Sequence, residues 1–401
     1  MELPEYTGDM TRKLFYEDSH RKEFEARVLF CAACKEDGGF WTVLDQTCFF
    51  PEGGGQYADT GYLGEVKVLD ARERDGVVYH RTEAPLEPGD LVCGRIDWEE
   101  RFEKMQQHTG EHIVSGLVHS RFGYNNVGFH LGSDYCTMDF DGPITSEELR
   151  QIEWEANRAV VSDLEILVQY PSKEELEQME YRSKIEIEGQ VRIVSVPGYD
   201  VCACCAPHVK RTGEIGLIKL VNRMNYKGGE RITMLCGFRA LRDYEVKLAG
   251  AKEIGALLCE KENQIAGAVK RQKEELEKQK YENGKLVHQI LAYRAKEIQI
   301  ESPVTAVFDG SLAGDAPREL MNLLLDRGAD ICAVFAGAEE DGYRYVIGSR
   351  QADVRPLGKA MNSRFEGRGG GKPGMIQGTL AGGQDEIRAF AEHFIKENRE
   401  E

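Results

Sequence analysis

The stretch QQHTGEHIVSG, residues 106–116, sets His108 and His112 four apart. On a helix that spacing stacks two imidazoles on one face, roughly 5–6 Å apart. A second cluster, DVCACCAPHVKRTGEIG, carries Cys202, Cys204, Cys205 and His208 within seven residues. An ion ligated from both clusters would force a helix and a distant loop to meet, so this pairing constrains the fold more than any other feature. Zinc takes nitrogen and sulfur donors in a near-tetrahedral array. His108 and His112 from the helix, with Cys204 and His208 from the loop, complete such a set, and a turn can aim both Cys204 and His208 at one ion. Cys202 and Cys205 remain alternative thiol ligands, because spacing alone does not exclude them. The bland readings are a polar helix face for the histidines and a packing accident for the cysteines.

The chain has 401 residues, too long for one ordinary core, so two or three domains are expected. No run of about 18 apolar residues exists and the start, MELPEYTGDMTRKLF, has no signal-peptide core, which predicts a cytoplasmic protein and no membrane partner. Eleven cysteines in such a chain argue against a disulfide framework and for metal ligands or buried apolar positions. Fifty-one basic against sixty-nine acidic residues give a formal charge of −18. That excludes indiscriminate nucleic-acid binding but leaves room for a local basic patch.

Along the chain the hydrophobic period changes. Residues 1–97 read as short β-branched or aromatic strands (RVLFCAAC, FWTVLD, EVKVLDAR, GVVYHRT, DLVCGRID) parted by turns such as KEDGG and LEPGD, a small β-barrel or sandwich. From Trp98 a helix of about 25 residues is predicted, with Phe102, Met105, His108, His112 and Leu117 near one face. A second helix follows an N-cap at Thr145 or Ser146. The strand-like runs CTMDF, LEILVQY, VRIVSV, EIGLIKLVN and RITMLCG make 98–238 an α+β domain.

Residues 239–300 carry a heptad seam from Leu241 through Tyr244, Leu248, Ile265, Val269, Leu276 and Leu286 to Tyr293, weakened by Gln272, Gln279 and Asn283. A coiled-coil helical linker is expected, either two antiparallel helices or one long helix of roughly 80–90 Å pairing across a dimer. Residues 301–401 read as α/β, with a glycine-rich loop, EGRGGGKPGMIQG, before the last helix. The fold class is thus multidomain α+β: barrel, metal-binding α+β domain, helical linker and C-terminal α/β domain.

His108 to His112 also fits H-x-x-E-H, the inverzincin peptidase pattern, in which Glu111 would be the general base and a downstream carboxylate a ligand. The Cys/His loop offers better remaining ligands than any carboxylate that stands out. QQHTGEH with CCAPH resembles the paired H-x-x-x-H and C-x-x-x-H motifs of the editing domain shared by alanyl- and threonyl-tRNA synthetases. FFPEGGGQYADTG, residues 49–61, resembles the glycine-rich segment of alanyl-type members, and GRGGGKPGMIQG resembles the glycine-rich motif of their DHH-associated C-terminal domain. Four motifs in order, without room for aminoacylation domains, are similar to free-standing long-form alanyl-tRNA editing proteins. The family's second motif is usually Cys-Gly-Gly-Thr-His; here it is Cys204-Cys205-Ala206-Pro207-His208.

The resemblance implies one zinc per chain and hydrolysis of the ester joining serine or glycine to mischarged alanine tRNA. A site that hydrogen-bonds a substrate hydroxyl can reject the deoxy analogue by about 10⁴–10⁵; Thr137 is the candidate. Gln56 would supply an amide, Glu111 a proton-shuttling carboxylate (or merely a solvated helix charge), and His130 a contact to the terminal adenosine (or a structural histidine). Arg364, Arg368 and Lys372, interleaved with Gly369, Gly370 and Gly371, suit phosphate contacts. A homodimer through the helical linker or C-terminal domain fits the seam. The rival functions are a tRNA-binding protein with a structural zinc and, further off, the peptidase.

Overall fold

The computed structural model describes residues 3–34, 38–132, 134–183, 190–301 and 303–398. It divides into two compact units, Met1–Ala251 and Lys252–Glu401. The turn expected at KEDGG lies in part outside the described residues.

In the first unit six strands close into a barrel: β1 (Glu23–Ala33), β2 (Phe40–Leu44), β3 (Gly61–Leu63), β4 (Val66–Arg74), β5 (Val77–Thr82) and β6 (Leu91–Ile96), in the order β1-β2-β5-β4-β3-β6. Alternation in β1 sends Phe24, Ala26 and Val28 inward, where they meet Leu44, Phe49, Leu63 and Val68. Helix α1 (Trp98–Phe122) starts at Asp97, whose side chain accepts from Glu100 N. Helix α2 (Ser146–Val161) is capped by Thr145, with Glu148 completing a reciprocal box. Both pack on a four-stranded antiparallel sheet made of β7 (Asn126–Leu131), β8 (Cys136–Phe140), β12 (Ile218–Tyr226) and β13 (Gly229–Cys236), in the order β12-β13-β8-β7. A smaller sheet joins β9 (Leu167–Gln169), β10 (Ile193–Val196) and β11 (Asp200–Ala203).

Helix α3 (Gly237–Leu258) runs across the division between the units, and α4 (Ile265–Glu297) follows a short 3₁₀ turn at Glu262–Gln264. The chain breaks at Cys259, which sits at φ 53°, so no single continuous helix spans the seam. Val269, Leu276, Leu286, Ile290 and Tyr293 of α4 are exposed. The second unit is built on a five-stranded sheet, β14 (Val304–Phe308), β15 (Ile331–Ala338), β16 (Gly342–Ser349), β17 (Arg368–Lys372) and β18 (Met375–Leu380), in the order β14-β15-β16-β18-β17. Helices α5 (Ala316–Asp326), α6 (Arg355–Arg364) and α7 (Gln384–Glu397) complete it. The glycine-rich segment expected as a loop is instead the β17–β18 hairpin. Pairing of β18 with β16 along Tyr343–Gly348 recruits it, a tertiary override of poor strand propensity. Among the described residues no helix is long and apolar enough to cross a membrane.

His80 lies fully inside the barrel. Its Nδ1 is 3.1 Å from the Thr42 carbonyl, which can only accept, so Nδ1 carries the proton and Nε2 accepts from the Thr47 hydroxyl at 2.8 Å. Burial pushes its pKa down to about 4, against an ordinary 6.5. The unfolded chain therefore takes up this proton first as pH falls. The neutral-state stability is intact above pH 6.5 and is lost progressively towards pH 4, amounting to about 3 kcal/mol. His80→Gln, which does not titrate, is expected to flatten the stability-versus-pH profile by that amount; identical profiles for the two proteins would refute the assignment.

Candidate metal centre

From Lys104 to Gly116 every residue of α1 is buried. The helix is therefore wrapped on all sides here, where the sequence led us to expect a single buried face. Its polar residues enter the interior together, and each finds a partner from another element.

The ligand atoms of His108, His112, Cys204 and His208 lie within 4.8 Å of one another. His108 Nε2 is 3.5 Å and His208 Nε2 3.4 Å from Cys204 Sγ. The His112 and His208 ring centroids are 4.5 Å apart. Of the opposite ring nitrogens two have hydrogen-bond partners and the third lies against a carboxylate. His108 Nδ1 is 3.1 Å from Gln56 Oε1, His208 Nδ1 is 3.0 Å from the Thr109 hydroxyl, and His112 Nδ1 is 3.0 Å from Asp200 Oδ2. With the proton kept on Nδ1, each Nε2 lone pair faces the shared point, the arrangement usual around a metal-bound histidine. Asp200 is in turn gripped by the Arg182 fork at 2.7 and 2.9 Å.

The electrostatics match a cation. Burial opposes ionisation of Cys204, but His108 and His208 outweigh it and hold the thiol well below its usual range. Burial, reinforced by His112, drives His208 down to about 3, keeping it neutral. Burial likewise opposes a charged His112, yet Cys202, Asp200 and Cys204 outweigh it and raise its pKa. A thiolate and three imidazoles at one point fit a metal that favours nitrogen and sulfur donors.

The barrel brings Gln56 to this centre through its glycine-rich loop. Gly55 adopts φ 83°, and a Cβ there would come within 2.9 Å of Phe129, so only glycine allows the approach. The Gly55 carbonyl accepts from Leu131 N at 3.1 Å, tying the loop to β7. Phe129 itself packs on His108, centroids 4.9 Å apart.

The other expected residues divide. Glu111 is 1% exposed, so the solvated-charge reading does not hold. Its Oε1 accepts from Ser115 at 2.7 Å and Asn126 at 2.5 Å, and its Oε2 is 3.9 Å from His112 Nε2. Thr137 and His130 are cross-strand partners of each other on β8 and β7. Their neighbours Cys136, Met138 and Leu131 point into the core against α1, so alternation puts Thr137 and His130 on the opposite face, away from the four ligands. The role expected of Thr137 in sensing a hydroxyl is not supported by this placement. In the second unit Arg364 ends α6 while Arg368 and Lys372 flank exposed Gly369, Gly370 and Gly371 on β17. Sequence reasoning missed Arg182 and Asn126, which lie outside the motifs, and Thr109 and Asp200, which lie inside the two quoted stretches but whose contacts to the histidines only the fold reveals.

Cys202 faces His112 and Asp200 rather than the four-atom group, and Cys205 is exposed. Cys204→Ser is therefore expected to lose bound metal while Cys202→Ser and Cys205→Ser retain it, as read by metal content after gel filtration; loss in all three would reopen the ligand assignment.

Two protein families match parts of the chain: "Threonyl and Alanyl tRNA synthetase second additional domain" over residues 191–233, and "tRNA synthetases class II (A)" over residues 6–100. The chain is 28% identical over 400 residues to the rat alanyl-tRNA editing protein Aarsd1, covering 94% of this chain and 97% of that one. Similarity to the Pyrococcus horikoshii alanyl-tRNA editing protein AlaX-L is also 28%, over 94% of this chain and 96% of that one. The alanine–tRNA ligase of Pyrococcus abyssi is 32% identical over 402 residues, but the chain spans only 42% of its length. Over 94% of its length the chain is thus similar to alanyl-tRNA editing proteins, nearly the whole of which it spans.

Proposed function

We propose that the chain is a zinc-dependent trans-editing hydrolase that frees serine or glycine from mischarged alanine tRNA by hydrolysing the ester at the tRNA 3′ end. The observation that carries this reading is the meeting of four ligand atoms, two from α1 and two from the Cys/His loop, within 4.8 Å. Aminoacyl-tRNA deacylation is the activity that the editing proteins matched along 94% of the chain support.

One ion per chain would be held by His108, His112, Cys204 and His208. When bound, zinc supplies Lewis acidity, either to lower the pKa of a water or to hold the substrate's α-amino group. An aminoacyl ester is already activated, so orientation of a water and modest charge stabilisation suffice. Gln56 fixes the His108 tautomer from its place in the glycine-rich loop. Ser115 and Asn126 pin one oxygen of Glu111, and the other, 3.9 Å from His112 Nε2, is placed to hold or move a proton beside the ligands. In the second unit Arg364, Arg368 and Lys372 offer cations, and the glycine hairpin an open backbone, to tRNA phosphates. The exposed apolar residues of α4 support pairing of two copies through that helix. A cytoplasmic setting suits a substrate made by tRNA charging.

The test is deacylation of seryl-, glycyl- and alanyl-charged alanine tRNA with metal assayed on the same preparation. Release of serine or glycine with alanine spared, and about one zinc per chain, is the expected result; zinc-loaded protein that binds tRNA yet releases nothing would reduce it to a binding module. His108→Ala should abolish release while tRNA binding persists. Glu111→Gln keeps an oxygen for Ser115 and Asn126 and should keep the metal, yet slow deacylation about 10²–10⁴-fold; an unaltered rate would remove Glu111 from the reaction.

A further inference from the structure

The loop supplying Cys204 and His208 departs from the family's Cys-Gly-Gly-Thr-His form, and its Pro207 has no N–H to donate. Its backbone is buried around Ala206, which is 0% exposed, so its carbonyls need donors from elsewhere. They find them in Arg192, the residue just before β10. Arg192 Nη1 donates to the Cys204 carbonyl at 2.8 Å and to the Ala206 carbonyl at 2.9 Å. The Arg192 carbonyl accepts from Cys204 N at 3.0 Å. One residue thus holds the loop at three points, on either side of Cys205.

Arg192 is itself enclosed. It is 9% exposed, and its guanidinium carbon lies 5.2 Å from the Tyr16 ring centre. Tyr16 belongs to the single helical turn Leu14–Glu17, whose Phe15 packs on Phe50 and Ala206. Among the described residues the Nε of Arg192 has no hydrogen-bond partner. A buried cation with an unpaired donor costs stability, so the benefit of this residue lies in what its Nη1 holds.

We propose that Arg192 is a positioning residue for the metal centre: it fixes the turn that aims Cys204 Sγ and His208 Nε2 at one point. The inference rests on the zinc reading above. The guanidinium bonds the backbone carbonyls of Cys204 and Ala206, so Arg192 acts through the backbone. A methionine there keeps length and apolar contact beneath Tyr16 but offers no donor. A lysine keeps the charge, but its side chain ends one atom short of Nη1, the nitrogen that serves both acceptors.

The experiment uses the full chain as wild type, Arg192→Met and Arg192→Lys. Zinc affinity is measured by competition with a chromophoric chelator, the geometry by the visible spectrum of the cobalt-substituted protein, and the fold by melting of the metal-free forms. The expected result is a loss of zinc affinity of about 10–100-fold in Arg192→Met with an altered cobalt spectrum, and partial recovery of both in Arg192→Lys. Wild-type affinity and an unchanged cobalt spectrum in Arg192→Met would overturn the proposal. So would equal losses in both variants accompanied by a lowered metal-free melting temperature, which mark a merely structural role. Should Arg192→Met not fold, Arg192→Lys decides: a shifted cobalt spectrum supports the proposal and a wild-type one overturns it. Failure of the zinc reading is recognised separately, because the wild type would then bind neither zinc nor cobalt.

Discussion

The arrangement of the first unit depends on a buried charge cluster between the barrel and helix α1. Arg101 and Lys104 are fully enclosed, and Asp59, just beyond the glycine-rich loop, is 1% exposed. Arg101 Nε donates to Asp59 Oδ2 at 2.7 Å and its Nη2 to the Cys48 carbonyl at 2.6 Å. Lys104 Nζ donates to the Ala58 carbonyl at 2.6 Å and lies 2.9 Å from Glu100. Asp59 Oδ2 also accepts from Phe50 N at 2.7 Å, so the carboxylate closes its own loop while gripping the helix. Such a cluster contributes little net stability over apolar packing, yet stranding one member costs about 3–5 kcal/mol. Its effect is to fix register. Only one offset of loop against helix pairs these charges, and that offset puts Gln56 opposite His108, one to two turns further along.

The same logic extends down the helix. A polar stripe of Arg101, Lys104, His108 and His112 repeats at three- and four-residue steps, the spacing that keeps residues on one face, with Glu111 beside it. Three elements meet these residues: the barrel loop for Arg101, Lys104 and His108, β7 for Glu111 and β11 for His112. The three imidazoles are therefore oriented before any ion arrives, because the glycine-rich loop, helix α1 itself and β11 each restrain one Nδ1. Orientation of this kind lowers the reorganisation cost of binding and fixes which nitrogen is free.

Much of this could be read in the sequence, but unevenly. The meeting of His108, His112, Cys204 and His208 was legible because histidine pairs at helical spacing and a dense Cys/His loop are rare, and their convergence needs only that the two segments meet. The long helix at Trp98 and the barrel strands were legible from period and turn residues. Strand β7 was not: NVGFHL has weak strand propensity and is recruited by pairing with β8, which brings Asn126 and Phe129 inward. The misplacement of Thr137 is of another kind. The alternation in CTMDF already sets Cys136, Met138 and Phe140 on one face and Thr137 on the other, so the signal was present. The burial of Glu111 had no local signal, since a carboxylate on a helix is ordinarily solvated and only tertiary wrapping makes it otherwise.

Close approach of helix and strand completes the centre, and it explains a feature of QQHTGEHIVSG that the histidines alone leave unexplained. Glycine inside a helix costs about 1 kcal/mol relative to alanine, yet the stretch ends in one. A Cβ on Gly116 would stand 2.2 Å from the Tyr199 carbonyl and 2.8 Å from Asp200 Cβ. With no side chain there, the helix settles directly against the start of β11. Gly116 follows His112 by one turn, so the contact that excludes a side chain at 116 is the one that carries Asp200 to within 3.0 Å of His112 Nδ1. The helix thus gives up intrinsic propensity at Gly116 and gains a fixed carboxylate behind His112. The same carboxylate orients Arg182, so the contact enabled by Gly116 sets an ion pair as well as an imidazole.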